Sequence, residues 1–195
     1  MNQLLNRVRR PYTGGKIVAV ISAMLMPLAA SAQPTTLQIH PSNARVTFTV
    51  GHLLGSVDGS FDSFRGRVVY DPKHPEGGRV EWEVNVRSVN TNSHARDEHL
   101  QTADYFYTDH YPTLSFASQS VHASDPRHLA VTGRFTMRGV SKTITVPAVL
   151  SDKGFDVNFS LLRSDYKFTG GRPGVGDKVD IHLHLNSSSG WFPGS

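Results

Sequence analysis

Apolar and polar residues alternate one by one over most of the chain between Ala44 and Leu185, the period-2 pattern of half-buried β-strands. Val46, Phe48 and Val50 share one face with Thr47 and Thr49 opposite, and Val80, Trp82, Val84 and Val86 oppose Glu81, Glu83, Asn85 and Arg87. The alternation recurs in Leu114 and Phe116, in Leu129 to Phe135, in Phe155 to Leu161 and in Val179 to Leu185. Turn-forming runs separate these segments: Asp71 to Gly78, Asp125-Pro126, Arg138-Gly139 and Asp152-Lys153-Gly154. Val57 to Tyr70 carries Gly59 and Gly66 among its apolar positions, which predicts a bent or bulged strand. About eight strands at near-regular spacing predict an all-β antiparallel barrel or sandwich.

The stretch Asn90 to Pro112 breaks the alternation. Asn90, Asn92 and Ser93 are helix-capping residue types, and Asp97 and Glu98 place negative charge in a first turn, where the helix dipole favours it. Leu100, Ala103 and Tyr105/Phe106 follow at roughly helical spacing, and Pro112 closes the segment. This predicts a short helical insertion in the all-β chain, placed to plug or cover something.

Arg7, Arg9, Arg10 and Lys16 precede an apolar run from Ile17 to Ala30, and Ala30-Ser31-Ala32 offers a small-x-small cleavage site. Residues 1–32 therefore read as a secretory signal peptide, which predicts a periplasmic protein with no stable membrane insertion. Removing them leaves sixteen Lys and Arg against sixteen Asp and Glu, so nucleic-acid binding loses its electrostatic basis. The remaining 163 residues suit one domain, read as 33–186, with a disordered tail expected at 187–195. The chain has no cysteine, so packing rather than disulfides must stabilise it.

Residue patterns for catalysis and metal binding are weak. His182 and His184 share a strand face with Asp180 and Asn186, which reads as paired solvent-facing histidines, and His94 and His99 match no zinc spacing. There is no Gly-x-Ser-x-Gly elbow and no thiol. The glycine-rich stretch from Arg163 to Asp177 lacks the Lys-Ser/Thr of a phosphate loop. No metal or cofactor is expected. Arg96, Asp97 and His99 form the sharpest polar cluster, suited either to pinning the helix to the barrel or to meeting a polar head group at a pocket mouth. Aromatic residues are spread over many elements, mostly at inward positions. Barrels of about eight strands either fill their interior with side chains or hold one small ligand, and composition does not choose between them.

Several ordered motifs carry a resemblance that covers Ile39 to Leu185. They are HPSNARVTFTVGHLLGSVDGSFDSFRG from His40, Arg96-Asp97-x-His99-Leu100, Tyr105-Phe106, Tyr111-Pro112, Leu114-x-Phe116, Gly133 to Lys142, and Val175-Gly176-Asp177. In these the chain resembles the YceI family, exported proteins of lipocalin-like architecture. The resemblance implies an elongated eight-stranded antiparallel β-barrel with a hydrophobic tunnel that holds a long-chain isoprenoid or similar amphiphilic lipid, and a binding protein rather than an enzyme. Tunnel walls are then expected from Phe48, Val50, Phe61, Phe64, Trp82, Phe116, Val131, Phe135 and Phe159, with Arg96, His99, Tyr105 and Phe106 at or near the tunnel. Two other readings stay open: a small hydrolase or isomerase using His99 with Asp97 or Asp104, and a solid-cored scaffold for protein partners. A homodimer is also left open.

Overall fold

A computed structural model describes residues 34–186 except 169 and 172. The expected signal peptide at 1–32 and the tail at 187–195 lie outside these residues. Eleven strands form one antiparallel sheet: β1 (Thr35–Ile39), β2 (Ala44–His52), β3 (Gly55–Phe61), β4 (Phe64–Tyr70), β5 (Arg79–Asn85), β6 (Val89–Asn90), β7 (Thr113–Asp125), β8 (His128–Met137), β9 (Val140–Ser151), β10 (Gly154–Leu162) and β11 (Val175–Asn186). Their order in the sheet is β1-β4-β5-β7-β8-β9-β10-β11-β2-β3-β6. Helix α1 (His94–Leu100) is the insertion.

The two ends of that order are the same three chain segments, each broken in two. β1 runs on into β2, β3 into β4, and β5 into β6 through a 3₁₀ turn at Val86–Ser88. On one side of the breaks β1 pairs with β4 and β4 with β5; on the other β2 pairs with β3 and β3 with β6. The three segments thus stay adjacent along their whole length, while β5 pairs with β7 and β2 with β11. The sheet is an eight-stranded ring in which three strands are kinked, which is how eight expected strands become eleven.

The kinks are hydrogen-bonded to one another. Asp62 N–H donates to Ser88 O (3.1 Å), Asn85 N–H to Ser63 O (2.9 Å), and Ser63 N–H to Ser88 Oγ (2.9 Å). The bend in Gly55–Tyr70 therefore falls at Asp62-Ser63, between the glycines rather than on them. Gly59 serves another purpose: a Cβ there would sit 2.3 Å from Phe48 Cζ on the paired strand, so the missing side chain lets the Phe48 ring lie over β3. β1 also takes in Thr35 and Thr36, which pair with Tyr70 and Val69.

Inward positions follow the alternation. Val46, Val84, Leu114, Phe116, Val131, Phe135, Val146 and Leu150 are buried. The outer face of β4–β5 carries the cross-strand pairs Arg65–Glu83 and Arg67–Glu81, both at 3.2 Å and largely exposed, so their contribution to stability is small. Beyond β10 the 3₁₀ turn Arg163–Tyr166 drives Tyr166 fully into the barrel, edge-on to Phe135 at 5.4 Å. Burial, with Asp165 adding to it, pushes the Tyr166 hydroxyl up to about 12.

His182 and His184 lie on the outer face of β11 and share one carboxylate: Asp156 Oδ1 stands 2.7 Å from His184 Nδ1 and 3.3 Å from His182 Nε2. The hydrogen bond to Asp156 raises the His184 pKa above its usual 6.5, against a smaller opposing effect of burial. Burial works against the Asp156 charge, but the bonds from His184 and His182 outweigh it and hold the carboxyl below its usual 3.8. A raised histidine contributes stability that is complete below about pH 6.5 and lost as pH rises through its folded value; a lowered aspartate contributes stability above about pH 3.8 and loses it in acid. The thermal-midpoint gap between the wild type and His184→Gln is therefore expected to be widest between those two values and to narrow above pH 7. A gap that stays constant from pH 5 to 9 would show that this cluster contributes no linked stability.

Candidate functional site

The barrel is not filled. A main cavity of about 510 Å³ occupies one end, and a second of about 90 Å³ lies among a different set of wall residues. The main cavity is within the size range of small-molecule sites. Its wall is built from inward positions of β2, β3, β10 and β11, with Val46, Phe48, Val50, Phe61, Leu161, Val179 and Ile181 all apolar. Trp82 belongs to the wall of both cavities and stands between them, 6.4 Å from Phe116 and 6.1 Å from Phe135 by ring centroids.

The roof comes from the two segments that break the strand pattern. Helix α1 contributes Ala95, Arg96, His99 and Leu100, the turns after it Tyr105 and Phe106, and the loop after β10 Arg163 and Phe168. The α-helix is only seven residues long, shorter than the spacing of Leu100 to Phe106 suggested. Thr102 Oγ1 donates to His99 O, Phe106 N–H returns to Leu100 O, and Tyr107 takes a left-handed φ of 53°, so the chain turns back instead of continuing as helix. Rings then link wall to roof: Phe48–Phe61 at 5.4 Å, Phe61–Phe106 at 5.9 Å and Phe106–Phe168 at 5.1 Å.

The polar cluster is a pinning device, but its centre is Thr91 rather than an Arg96–Asp97 pair. Thr91 is buried, and Asp97 Oδ1 accepts both its N–H (2.9 Å) and its hydroxyl (2.5 Å). The same hydroxyl accepts from Arg96 Nε (2.7 Å), and Thr91 O accepts from the Arg96 terminal nitrogen (2.6 Å). Arg163 is likewise turned to backbone carbonyls, donating to Gly176 O (2.9 Å) and Gly170 O (3.2 Å). His99 packs against Tyr105 at 4.8 Å, and no hydrogen bond joins it to Asp97 among the described residues. Among those residues no group of three or more His, Asp or Glu could hold a metal ion.

The structure brings together eight of the expected site residues around the main cavity: Phe48, Val50, Phe61, Trp82, Arg96, His99, Tyr105 and Phe106. Phe116, Val131 and Phe159 line the smaller one. Phe64 and Phe135 line neither. Phe64 begins β4 just past the kink, where the segment leaves the chamber wall and pairs with Val84, and Phe135 is wedged between Trp82 and Tyr166. Sequence reasoning missed Thr91 and also Arg138, at the β8–β9 turn, which holds the two roof segments together. Arg138 donates to Ala103 O (2.8 Å) and to Lys167 O and lies 5.3 Å over the Phe168 ring. Burial lowers its pKa. In the sequence Arg138 stood out only as a turn residue before Gly139; in the structure it takes a left-handed φ of 50°.

A closed antiparallel ring that keeps a roofed apolar chamber is a β-barrel of the hollow kind rather than the filled kind. Comparison with known proteins agrees. The model of the YceI-like domain matches residues 37–187. Protein YceI of Shigella flexneri is 36% identical over 143 residues, 72% of this chain and 74% of that protein. A UPF0312 protein of Shewanella sp. strain ANA-3 is 35% identical over 135 residues, covering 69% of this chain and 71% of the relative. The chain belongs to the YceI family. Among solved structures, Burkholderia cenocepacia BcnA superposes with a TM-score of 0.71 at 24% identity, over 74% of this chain and 96% of that one. A polyisoprenoid binding domain from Saccharophagus degradans shares the fold at a TM-score of 0.59 and 14% identity, over 80% of this chain and all of its own.

Proposed function

We propose that the protein binds a long-chain isoprenoid or similar amphiphilic lipid in the main cavity, with its apolar chain against β2, β3, β10 and β11, and that it does so in the periplasm as a carrier or store rather than as an enzyme. The observation that carries this reading is the roofed chamber of about 510 Å³ whose walls are apolar side chains. Each methylene moved from water into such a chamber contributes roughly 0.8 kcal/mol, and a preformed wall spares the cost of ordering it. The similarity in fold to the polyisoprenoid binding domain of Saccharophagus degradans supports the ligand class. The basic, then apolar, then small-residue pattern of residues 1–32 supports export. Binding rather than turnover is favoured because Asp97 and Arg96 are engaged with Thr91 and His99 packs against the Tyr105 ring.

Native mass spectrometry of the protein before and after incubation with a prenyl alcohol tests this. The wild type is expected to carry one extractable prenyl chain per molecule. A Val50→Trp, Val179→Trp double variant, with indoles on two paired strands facing into the chamber, is expected to fold and carry none. Equal loading of the two proteins, or an unloaded wild type after incubation, would remove the chamber as the binding site.

A further inference from the structure

The two most exposed large apolar side chains among the described residues are neighbours, Leu53 at 83% and Leu54 at 93%. Together they are the entire two-residue connection of the β2–β3 hairpin, which is closed by the His52–Gly55 pair. A connection this short ordinarily carries Asn, Asp or Gly, whose backbone or side chain suits the turn. Two leucines gain nothing from turn chemistry there, and they leave apolar surface in water. The tip is also held in position: Leu53 N–H donates to Gly174 O (3.0 Å) and Leu54 N–H to His52 Nδ1 (3.2 Å).

The tip adjoins the chamber. Gly51, His52 and Val57 on the same hairpin line the main cavity, as does Val175 on β11, which is itself exposed. Apolar surface therefore runs from the tip past Val175 into the chamber.

We propose that Leu53 and Leu54 insert into the surface of a lipid bilayer and set the chamber beside it, so that a lipid passes between membrane and barrel without crossing water. This rests on the lipid-binding reading above. The occupant is a membrane rather than a protein on grounds of area: two leucines and Val175 offer on the order of a few hundred Å², well short of the ~1,200 Å² that a specific protein interface buries. An interfacial side chain needs no matching partner surface and is reversible at this size. Charge is not what drives the contact: Lys178 is paired with Asp180 (2.7 Å), Lys142 with Asp165, and Arg163 is turned to backbone carbonyls. Zwitterionic vesicles should suffice, with little dependence on salt.

The test compares the wild type with a Leu53→Ser, Leu54→Ser variant, which replaces no cavity-lining residue. Flotation with phosphatidylcholine vesicles should recover the wild type and lose the variant, with partition weakened roughly tenfold or more. Transfer of a fluorescent prenyl alcohol from those vesicles should slow by a similar factor, while equilibrium loading from dispersed prenyl alcohol stays the same. A wild type that loads from dispersion yet does not float, or equal transfer rates for the two proteins, would overturn membrane docking and leave lipid binding intact. A wild type that floats through its leucines but takes up no prenyl alcohol from either source would uphold docking and remove the lipid-binding reading. Sedimentation that shows a wild-type dimer becoming a monomer in the variant would assign the tip to self-association and overturn the proposal.

Discussion

Trp82→Ala is expected to lower stability by about 3 kcal/mol and to change the length of chain the barrel accepts. Large-to-small aromatic changes in cores cost ~3–5 kcal/mol, and the low end applies here because Trp82 already faces open volume on two sides. Its ring stands between the cavities of about 510 and 90 Å³, in contact with Phe116 and Phe135. Without the indole, the two spaces join and the chamber reaches the Phe116, Val131 and Phe159 end of the barrel. Urea unfolding reads the stability change. Competition among prenyl alcohols of increasing length reads the second effect, with the variant shifted toward longer chains than the wild type. If the variant is destabilised but keeps the wild-type length preference, Trp82 is a packing residue and the smaller cavity plays no part in binding.

That prediction separates what alternation can reveal from what it cannot. A period of two placed Phe48, Val50, Phe61 and Trp82 indoors, and all four line the main cavity. It placed Phe116, Val131, Phe135 and Phe159 indoors equally well, and these lie around the small cavity or in solid packing. Alternation reports a face, while depth along the barrel depends on register and on where strands kink. The kinks come from local chemistry that is hard to read in advance: the Asp62-Ser63 break is held by Ser88, twenty-five residues away. Hollow or solid was equally hidden, because the same apolar inventory serves both.

The roof was legible in outline only. The Asn90 to Pro112 stretch announced itself by breaking the pattern, and Ser93 stands at the helix start, although its side chain makes no capping bond. What ties the roof down was not visible, since Arg138 reaches Ala103 across thirty-five residues and Thr91 is an ordinary threonine between two asparagines. Arg138 bonds two carbonyls, Ala103 O and Lys167 O, and Thr91 bonds both Asp97 and Arg96, pairings that no alternation or spacing in the sequence announces.

Thr91 is where the roof can be loosened with the least change elsewhere. Its hydroxyl is shared, donating to Asp97 and accepting from Arg96, so Thr91→Val removes one oxygen of nearly equal volume and takes a partner from both charged groups. Each loses one bond while keeping another, to the Thr91 N–H and the Thr91 carbonyl respectively. The expected cost is about 1–3 kcal/mol, in the range for bonds to charged groups with a buried partner. Thr91→Ser keeps the oxygen and should stay within about 0.5 kcal/mol of the wild type, apart from the small loss of a methyl group. Because α1 roofs the chamber, the larger consequence is kinetic: Thr91→Val should release a bound prenyl chain several-fold faster than Thr91→Ser, read by transfer of a fluorescent prenyl alcohol to acceptor vesicles. Faster release than the loss of global stability accounts for would make the helix a locally opening cover. Equal release from both variants would mean that the lipid leaves by a route other than under α1.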